Sequence, residues 1–415
     1  MPGLPTTSEC LARIDELEPT LHAFQSLRPR EEALAEATAA DPSLPLAGVP
    51  VAVKDNVDVA GLPTRHGSAA TSDEPATQDD ELVRRLRAAG CVVIGKSQLP
   101  ELAIWPFTEP EAFPTPQNPL HPGMTTGGST GGGAAAVAAG MAALALGSDG
   151  GGSIRVPSAC CGLVGLKPGP GVVPLAGGVE EHWFGMSEYG PIARTAADAG
   201  LMLDVLAGTE TYRQLETPDA LHIAVAPAHP APGVRPKSEI RSAIEAAAGA
   251  LESAGHAVRR ARVPYPPTLG MRFSNRWLAG IAEDARDLPA ERLEERTRKM
   301  ARRGEKLAKK VKPAAEDQFG GRMRAWFADY DVLITPTLSR PPVPVGTWQG
   351  KGWIRTMLGV GNWLYTVPWN VARLPAASVP FRGQALQLVG PEGSERTLLC
   401  LAAQLEGLDG TDASV

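Results

Sequence analysis

An α/β sandwich built on a large, mostly parallel sheet is the fold class that this 415-residue sequence predicts. Three observations predict it. Short β-branched runs alternate with helical stretches, glycine-rich turns follow the apolar runs, and the chain is long enough to bury one large core. A hydrophobic content of 43% and a charged content of 21% belong to an ordinary globular protein, neither disordered nor membrane-spanning.

The elements follow in order. Ser8 to Glu18 carries apolar residues at Leu11, Ile14 and Leu17, a helix that Pro19 is expected to interrupt. Pro29 before EEALAEATAA marks the first turn of a second helix. PVAVKDNV around Val53 and CVVIGKS around Val93 read as strands, with a helix between them from Gln78 to Ala89. Strand, helix, strand is the pattern of a parallel sheet. The alternation continues through a helix at Gly131 to Gly140, the apolar run AALALGSD, a helix from Thr195 to Leu206 and the run LHIAVAP near Ile223. DVLITPT at Asp331 and ALQLVG at Leu386 add strands, and a last helix runs from Arg396 to Leu405. Residues 230–328 are helical, charged and poor in glycine, and are expected to form an insertion or cap within one domain spanning 1–415.

Charge and cysteine content exclude several function classes. A net charge of −6 argues against a nucleic-acid footprint, and the basic run from Arg292 to Lys312 reads as a solvated helix face because acidic residues interrupt it. The five cysteines have no metal-ligand or redox spacing and are expected to be reduced and mostly buried. Cys160 and Cys161 are adjacent, which does not suit a relaxed disulfide. Apolar runs such as Met141 to Leu146 are too short to span a membrane, and MPGLPTTSEC lacks the pattern of a signal peptide. A cytoplasmic protein is expected; a homodimer is compatible with the sequence and not required by it.

The chemistry concentrates in two glycine clusters. Five of the seven residues from Gly127 to Gly133 are glycine, presenting Ser129, and SDGGGSIRVPS presents Ser153 in the same way. A phosphate-binding loop would need Lys and Ser or Thr after the last glycine, whereas Ala134 follows Gly133. Gly127 to Gly131 matches a nucleophile elbow, but NPLHPGMTT, broken by Pro119, Pro122 and Gly123, cannot be the strand that an elbow requires. A third reading includes Lys54, which stands directly after an apolar strand. A desolvated lysine loses its proton readily and, with serine, makes a nucleophilic pair that needs no histidine. The seven histidines are scattered without catalytic or metal spacing and are expected to be structural or exposed. No metal and no organic cofactor is expected.

Taken together, PVAVKDNVDVAGLPTRHGSAA, GKSQLPELA, the long block from NPLHPGMTTGGSTGGGAAAVAAG through ALGSDGGGSIRVPSACCGLVGLKP, YGPIARTAADAGLMLDVLAG, DVLITPT, LPAASVP and LQLVG resemble the amidase signature family of amide hydrolases. The resemblance covers nearly the whole chain. It implies a mixed, mostly parallel central sheet sandwiched by helices. Carried over residue by residue, it implies Ser153 as nucleophile, Ser129 as the bridging serine after a cis Gly128–Ser129 peptide, and Lys54 as base. It further implies an oxyanion hole from the N–H groups of Gly150, Gly151, Gly152 and Ser153, with Asp149, Arg155 and Thr130 as support. On this reading the glycines allow the loop to hold Ser129 between Lys54 and Ser153. The chain departs from the pattern at Thr130, where a serine is common, at Gly150, where a larger residue is usual and glycine is expected to add backbone freedom, and in its short length.

The resemblance leaves the substrate open, since the walls of the site set specificity. Trp105, Phe107, Met124, Thr126, Gly127, Gly128, Trp183, Phe184, Trp363, Tyr365 and Trp369 are the expected substrate-binding residues. The implied substrate is a small-molecule amide, apolar or aryl, with esters and carbamates as further bond types. Two alternatives stand beside it: a glutaminase subunit of a tRNA-dependent amidotransferase, for which Arg355 or Arg373 would bind glutamine, and a non-catalytic binding protein.

Overall fold

The computed structural model describes residues 4–410. Its strands are β1 (Phe24–Leu27), β2 (Pro50–Lys54), β3 (Val92–Ser97), β4 (Leu144–Asp149), β5 (Val164–Lys167), β6 (Glu188–Ala193), β7 (His222–Val225), β8 (Ala257–Arg260), β9 (Val332–Pro336), β10 (Ala376–Phe381) and β11 (Gln384–Val389). They form one sheet of eleven strands in the order β1-β3-β2-β4-β6-β5-β10-β11-β9-β7-β8. The sheet is mixed, but it is not mostly parallel. The pairs β2–β3, β2–β4, β7–β8 and β7–β9 are parallel, and the other six of the ten neighbouring pairs are antiparallel. One antiparallel pair at the centre is a hairpin, β10 and β11 meeting across Arg382 and Gly383 without a helix between them.

Alternation along the buried strands divides the core in two. Val51 and Val53 face one side and Ala52 the other; Leu144 and Leu146 likewise oppose Ala145. The helices Glu81–Ala88, Ala196–Ala207, Ser238–Ser253 and Glu395–Asp409 cover the face of Val51, while Gly131–Ala138, Leu269–Asp284 and Glu295–Ala308 contribute to the core on the face of Ala52. The result is a three-layer sandwich. The site lies on the second face.

Two further expectations are corrected. Pro19 does not interrupt the first helix, which runs Thr7–Leu21 from a capping box at Thr6 and Glu9. Residues 230–328 are not wholly a helical insertion, because the helix Ser238–Ser253 and β8 complete a parallel crossover from β7 within the sheet. Only the helices from Leu269 onward lie over the site side, where Gly304 lets Glu295–Ala308 pack against Leu278; a Cβ there would lie 1.8 Å from the Leu278 carbonyl oxygen. Strands β1, β5, β6, β8 and β10 are unforeseen, being four to six residues long and, in β6, interrupted by Gly190 and Pro191. The basic run forms the helix Glu295–Ala308, which buries Thr297, Met300, Ala301 and Gly304. All five cysteines are buried thiols. Among the described residues no helix is long and apolar enough to cross a membrane.

Candidate active site

Lys54 is the last residue of β2, and the parallel register Val51↔Leu144, Val53↔Leu146 brings it level with the end of β4. Its side chain shares the face of Ala52, beneath the start of the helix Gly131–Ala138. Nζ is fully buried, 2.7 Å from Ser129 Oγ, 2.9 Å from Ser148 Oγ and 3.3 Å from the Ser148 carbonyl oxygen. Burial penalises the cation and lowers the lysine pKa to about 7, with distant Asp149 opposing the shift. A lysine so placed is largely neutral at slightly alkaline pH.

The Gly128–Ser129 peptide is cis. The bare Cα of Gly128 lies against the backbone of Phe107 and Trp105; a Cβ would stand 2.6 Å from the Phe107 nitrogen. Directly after Ser129, the Thr130 N–H donates to the Ser153 carbonyl at 3.1 Å, tying the two serine loops together. Ser153 follows β4 in the turn Asp149–Ser153, whose glycines have separate reasons. Gly152 has φ +133°, a conformation that favours glycine. Gly150 is bare for packing rather than for backbone freedom: a Cβ would lie 2.6 Å from Trp183 Cε3. One expected role is corrected here. The Gly152 N–H donates to Asp149 Oδ1 at 2.6 Å, so it is not free for an oxyanion, which leaves the amides of Gly150, Gly151 and Ser153.

Asp149 and Arg155 form a fully buried ion pair. Nε and Nη2 of Arg155 meet the two carboxylate oxygens at 2.9 Å each, while Nη1 reaches the Thr366 carbonyl and Gln387, and Nη2 also reaches Asn370. Burial alone would raise the Asp149 pKa, but the Arg155 charge and hydrogen bonds hold it well below the ordinary carboxylate range. Asp149→Ala is expected to cost on the order of 3–5 kcal/mol in urea unfolding, since it strands a buried guanidinium; a loss below about 1 kcal/mol would show that the pair does not brace the loop.

Two cavities meet at Ser153. The smaller, of about 360 Å³, is lined by Ser129, Ser148, Gly150, His182, Tyr189 and Asp284, among others. The other, of about 580 Å³, is lined by Trp105, Met271, Phe273, Trp277, Met357 and Leu358, among others. Trp105 packs edge-on to Trp277 at 5.3 Å and Phe273 stacks on Trp277 at 6.1 Å, so its floor is aromatic.

Comparison with known proteins shows the family. A model of the Amidase family matches residues 6–399, almost the entire chain. The chain belongs to the amidase family. AmiB2 of Mycobacterium tuberculosis, which carries an amidase name, is 42% identical over 423 residues, covering 95% of this chain and 90% of that protein. An acylamidase of Rhodococcus erythropolis is 32% identical over 96% of this chain and 90% of its own. The structure of a 6-aminohexanoate cyclic dimer hydrolase superposes with a TM-score of 0.86 at 28% identity, covering 97% of this chain and 93% of that one. The protein is an amide hydrolase with the mixed α/β fold of that family.

Of the aromatics expected to bind substrate, only Trp105 and Trp183 line the two cavities of the amidase. Phe107 stacks behind Trp105 at 5.5 Å. Trp363, Tyr365 and Trp369 are wholly buried, with Trp363 Nε1 donating to the Arg340 carbonyl and the Tyr365 hydroxyl to that of Pro227. The Phe184 carbonyl accepts from the Ala314 N–H, and Met124 pairs with Pro344. Thr126, Gly127 and Gly128 are buried in the loop wall, where the Thr126 hydroxyl donates to the Gly127 carbonyl. The arginines considered for glutamine lie elsewhere: Arg355 and Arg373 line separate cavities. Residues not anticipated are Phe273, Trp277 and Asp284, on a helix whose pattern reads only as amphipathic, and His182 and Tyr189, which no motif marked. Ser148 opens the glycine cluster SDGGGSIRVPS, and its contact with Lys54 follows from two strands being neighbours, a relation that exists only in three dimensions.

Proposed function

We propose that this amidase acts through Lys54, Ser129 and Ser153, by way of an acyl-enzyme, on amides that carry an apolar or aryl group. The observation that carries the reading is the buried, depressed-pKa lysine 2.7 Å from the Ser129 hydroxyl at the mouth of the Ser153 turn. Neutral Lys54 takes the Ser129 proton while Ser129 takes that of Ser153, whose oxygen attacks the carbonyl carbon. The carbonyl oxygen becomes anionic and is met by the amides of Gly150, Gly151 and Ser153; such donors are worth about 2.7–4 kcal/mol each. Collapse breaks the C–N bond, and the proton returns through Ser129 to the departing nitrogen. Water then adds to the ester, Lys54 accepting its proton by the same route; collapse breaks the bond to Ser153 Oγ, the proton returns through Ser129 to that oxygen, and the carboxylic acid leaves.

Support for an apolar or aryl substrate group comes from the aromatic floor at Trp105, Phe273 and Trp277 beside Ser153. Esters and carbamates meet the same nucleophile and enter the same cycle. The test is hydrolysis of a panel comprising an aryl amide, an alkyl amide, a carbamate, a nitrophenyl ester and glutamine. Turnover is expected for the aryl amide and the ester; a protein that cleaves glutamine or acetamide alone would overturn the substrate assignment.

A further inference from the structure

We infer that Trp183 is the specificity-determining partition of the site, dividing a small chamber for the departing amine from a larger one for the acyl group; the inference rests on the Ser153 reading above. Trp183 borders both cavities. Ser153 and Ala103 do so as well, whereas Ser129 and Ser148 line only the smaller cavity and Gly151 only the larger one. The nitrogen that leaves must receive its proton from Ser129, so the amine lies on the Ser129 side, in about 360 Å³. The acyl group, attached to the opposite side of the carbonyl carbon, then lies on the side of Trp105, Phe273 and Trp277, in about 580 Å³. This orientation gives the substrate class: a bulky apolar acyl group joined to a compact amine.

The ring is fixed in place rather than loosely packed. Its six-membered edge lies over Gly150, and its Cδ1 lies where a Cβ of Gly280 would stand only 2.4 Å away. Nε1 donates to Asp284 Oδ2 at 2.7 Å, and Asp284 Oδ1 meets His182 Nε2 at 3.1 Å. The His182 ring stacks on Trp183 at 5.4 Å, and its Nδ1 meets Ser187 Oγ at 2.8 Å. The backbone of Trp183 is left-handed, with φ +49°, an uncommon setting for a bulky residue. Two glycines in separate segments, one in the turn that carries Ser153 and one in the helix Leu269–Asp284, thus make room for a single indole. The bareness of Gly150 and the presence of Trp183 are one feature.

The experiment measures kcat/KM for amides of one apolar acid with amines of increasing size, from ammonia to naphthylamine, in the wild type, Trp183→Ala and Trp183→Phe. Labelling rates of Ser153 by fluorophosphonates with a small or a bulky alkoxy group are measured on the same proteins. Trp183→Ala is expected to raise the bulky-to-small ratio in both assays by on the order of tenfold or more, and Trp183→Phe to stay near the wild type. Asp284→Ala, which unties the ring while leaving it in the chain, moves the ratio in the same direction and serves if Trp183→Ala does not fold. A ratio unmoved in variants that are still labelled overturns the partition and leaves the nucleophile reading intact. Absence of Ser153 labelling in the wild type removes the nucleophile reading, and the partition falls with it.

Discussion

Ser153→Ala is expected to lower kcat on the best amide by on the order of 10⁶-fold, because removal of the attacking oxygen of a nucleophilic unit loses nearly the whole of the unit's joint effect. The geometry supplies the reason. Lys54 touches Ser129, and Ser129 is tethered to the Ser153 turn through Thr130, so neither Lys54 nor Ser129 has a reaction to assist once the attacking oxygen is gone. The double variant Ser153→Ala, Lys54→Ala should therefore be little worse than Ser153→Ala alone. If the two losses multiply instead, Lys54 and Ser153 act independently and the relay is wrong.

Lys54→Met is expected to reduce kcat by about 10²- to 10⁴-fold, the span of a positioned general base, and to abolish the acidic limb of the pH profile. In the wild type the proton must be off Lys54 for attack to begin. With its pKa lowered to about 7 by burial, kcat/KM should fall about tenfold per pH unit below 7 and level off above about 8. Lys54→Arg keeps a cation that does not deprotonate, and should be inactive at every pH tested. A limb near the ordinary lysine value in the wild type would show that Nζ is solvated. The same shift has a stability consequence of defined sign. Between about pH 7 and 10.5 the unfolded chain holds a proton that the folded chain lacks, so Lys54 makes stability rise with pH across that window.

Much of this site is legible in the sequence because its chemistry is written in short contiguous blocks. VAVKD, GGSTGGG and DGGGSIR each carry one residue of the proposed relay together with the backbone that presents it, and the end of a β-branched run by itself puts Lys54 at a strand terminus. The walls are less legible. Trp363, Tyr365 and Trp369 look like pocket residues because aromatics are scarce and these three are close together, yet burial claims them for the core. Phe273 and Trp277 occupy one face of an amphipathic helix, and nothing in that period distinguishes a face turned to a cavity from one turned to a core. Sheet direction is hidden for a related reason: β6 contains Gly190 and Pro191 and β5 contains Gly165, so the sequence pattern does not mark these strands or reveal the antiparallel middle of the sheet.

The ion pair beneath the Ser153 turn also bears on how the molecule is built in time. Lys54, Ser129 and Ser153 all lie within the first 153 residues, but Arg155 completes its hydrogen bonds only with Thr366, Asn370 and Gln387, which lie 211, 215 and 232 positions later in the chain. Closing loops of that length is slow compared with forming a local hairpin. A nascent chain that has emerged as far as β6 should therefore carry every group of the proposed relay and show no activity, because the Arg155 guanidinium beneath the Ser153 turn still lacks its three distant acceptors. Activity should appear only with the closing strands, so that hydrolysis itself reports completion of the fold.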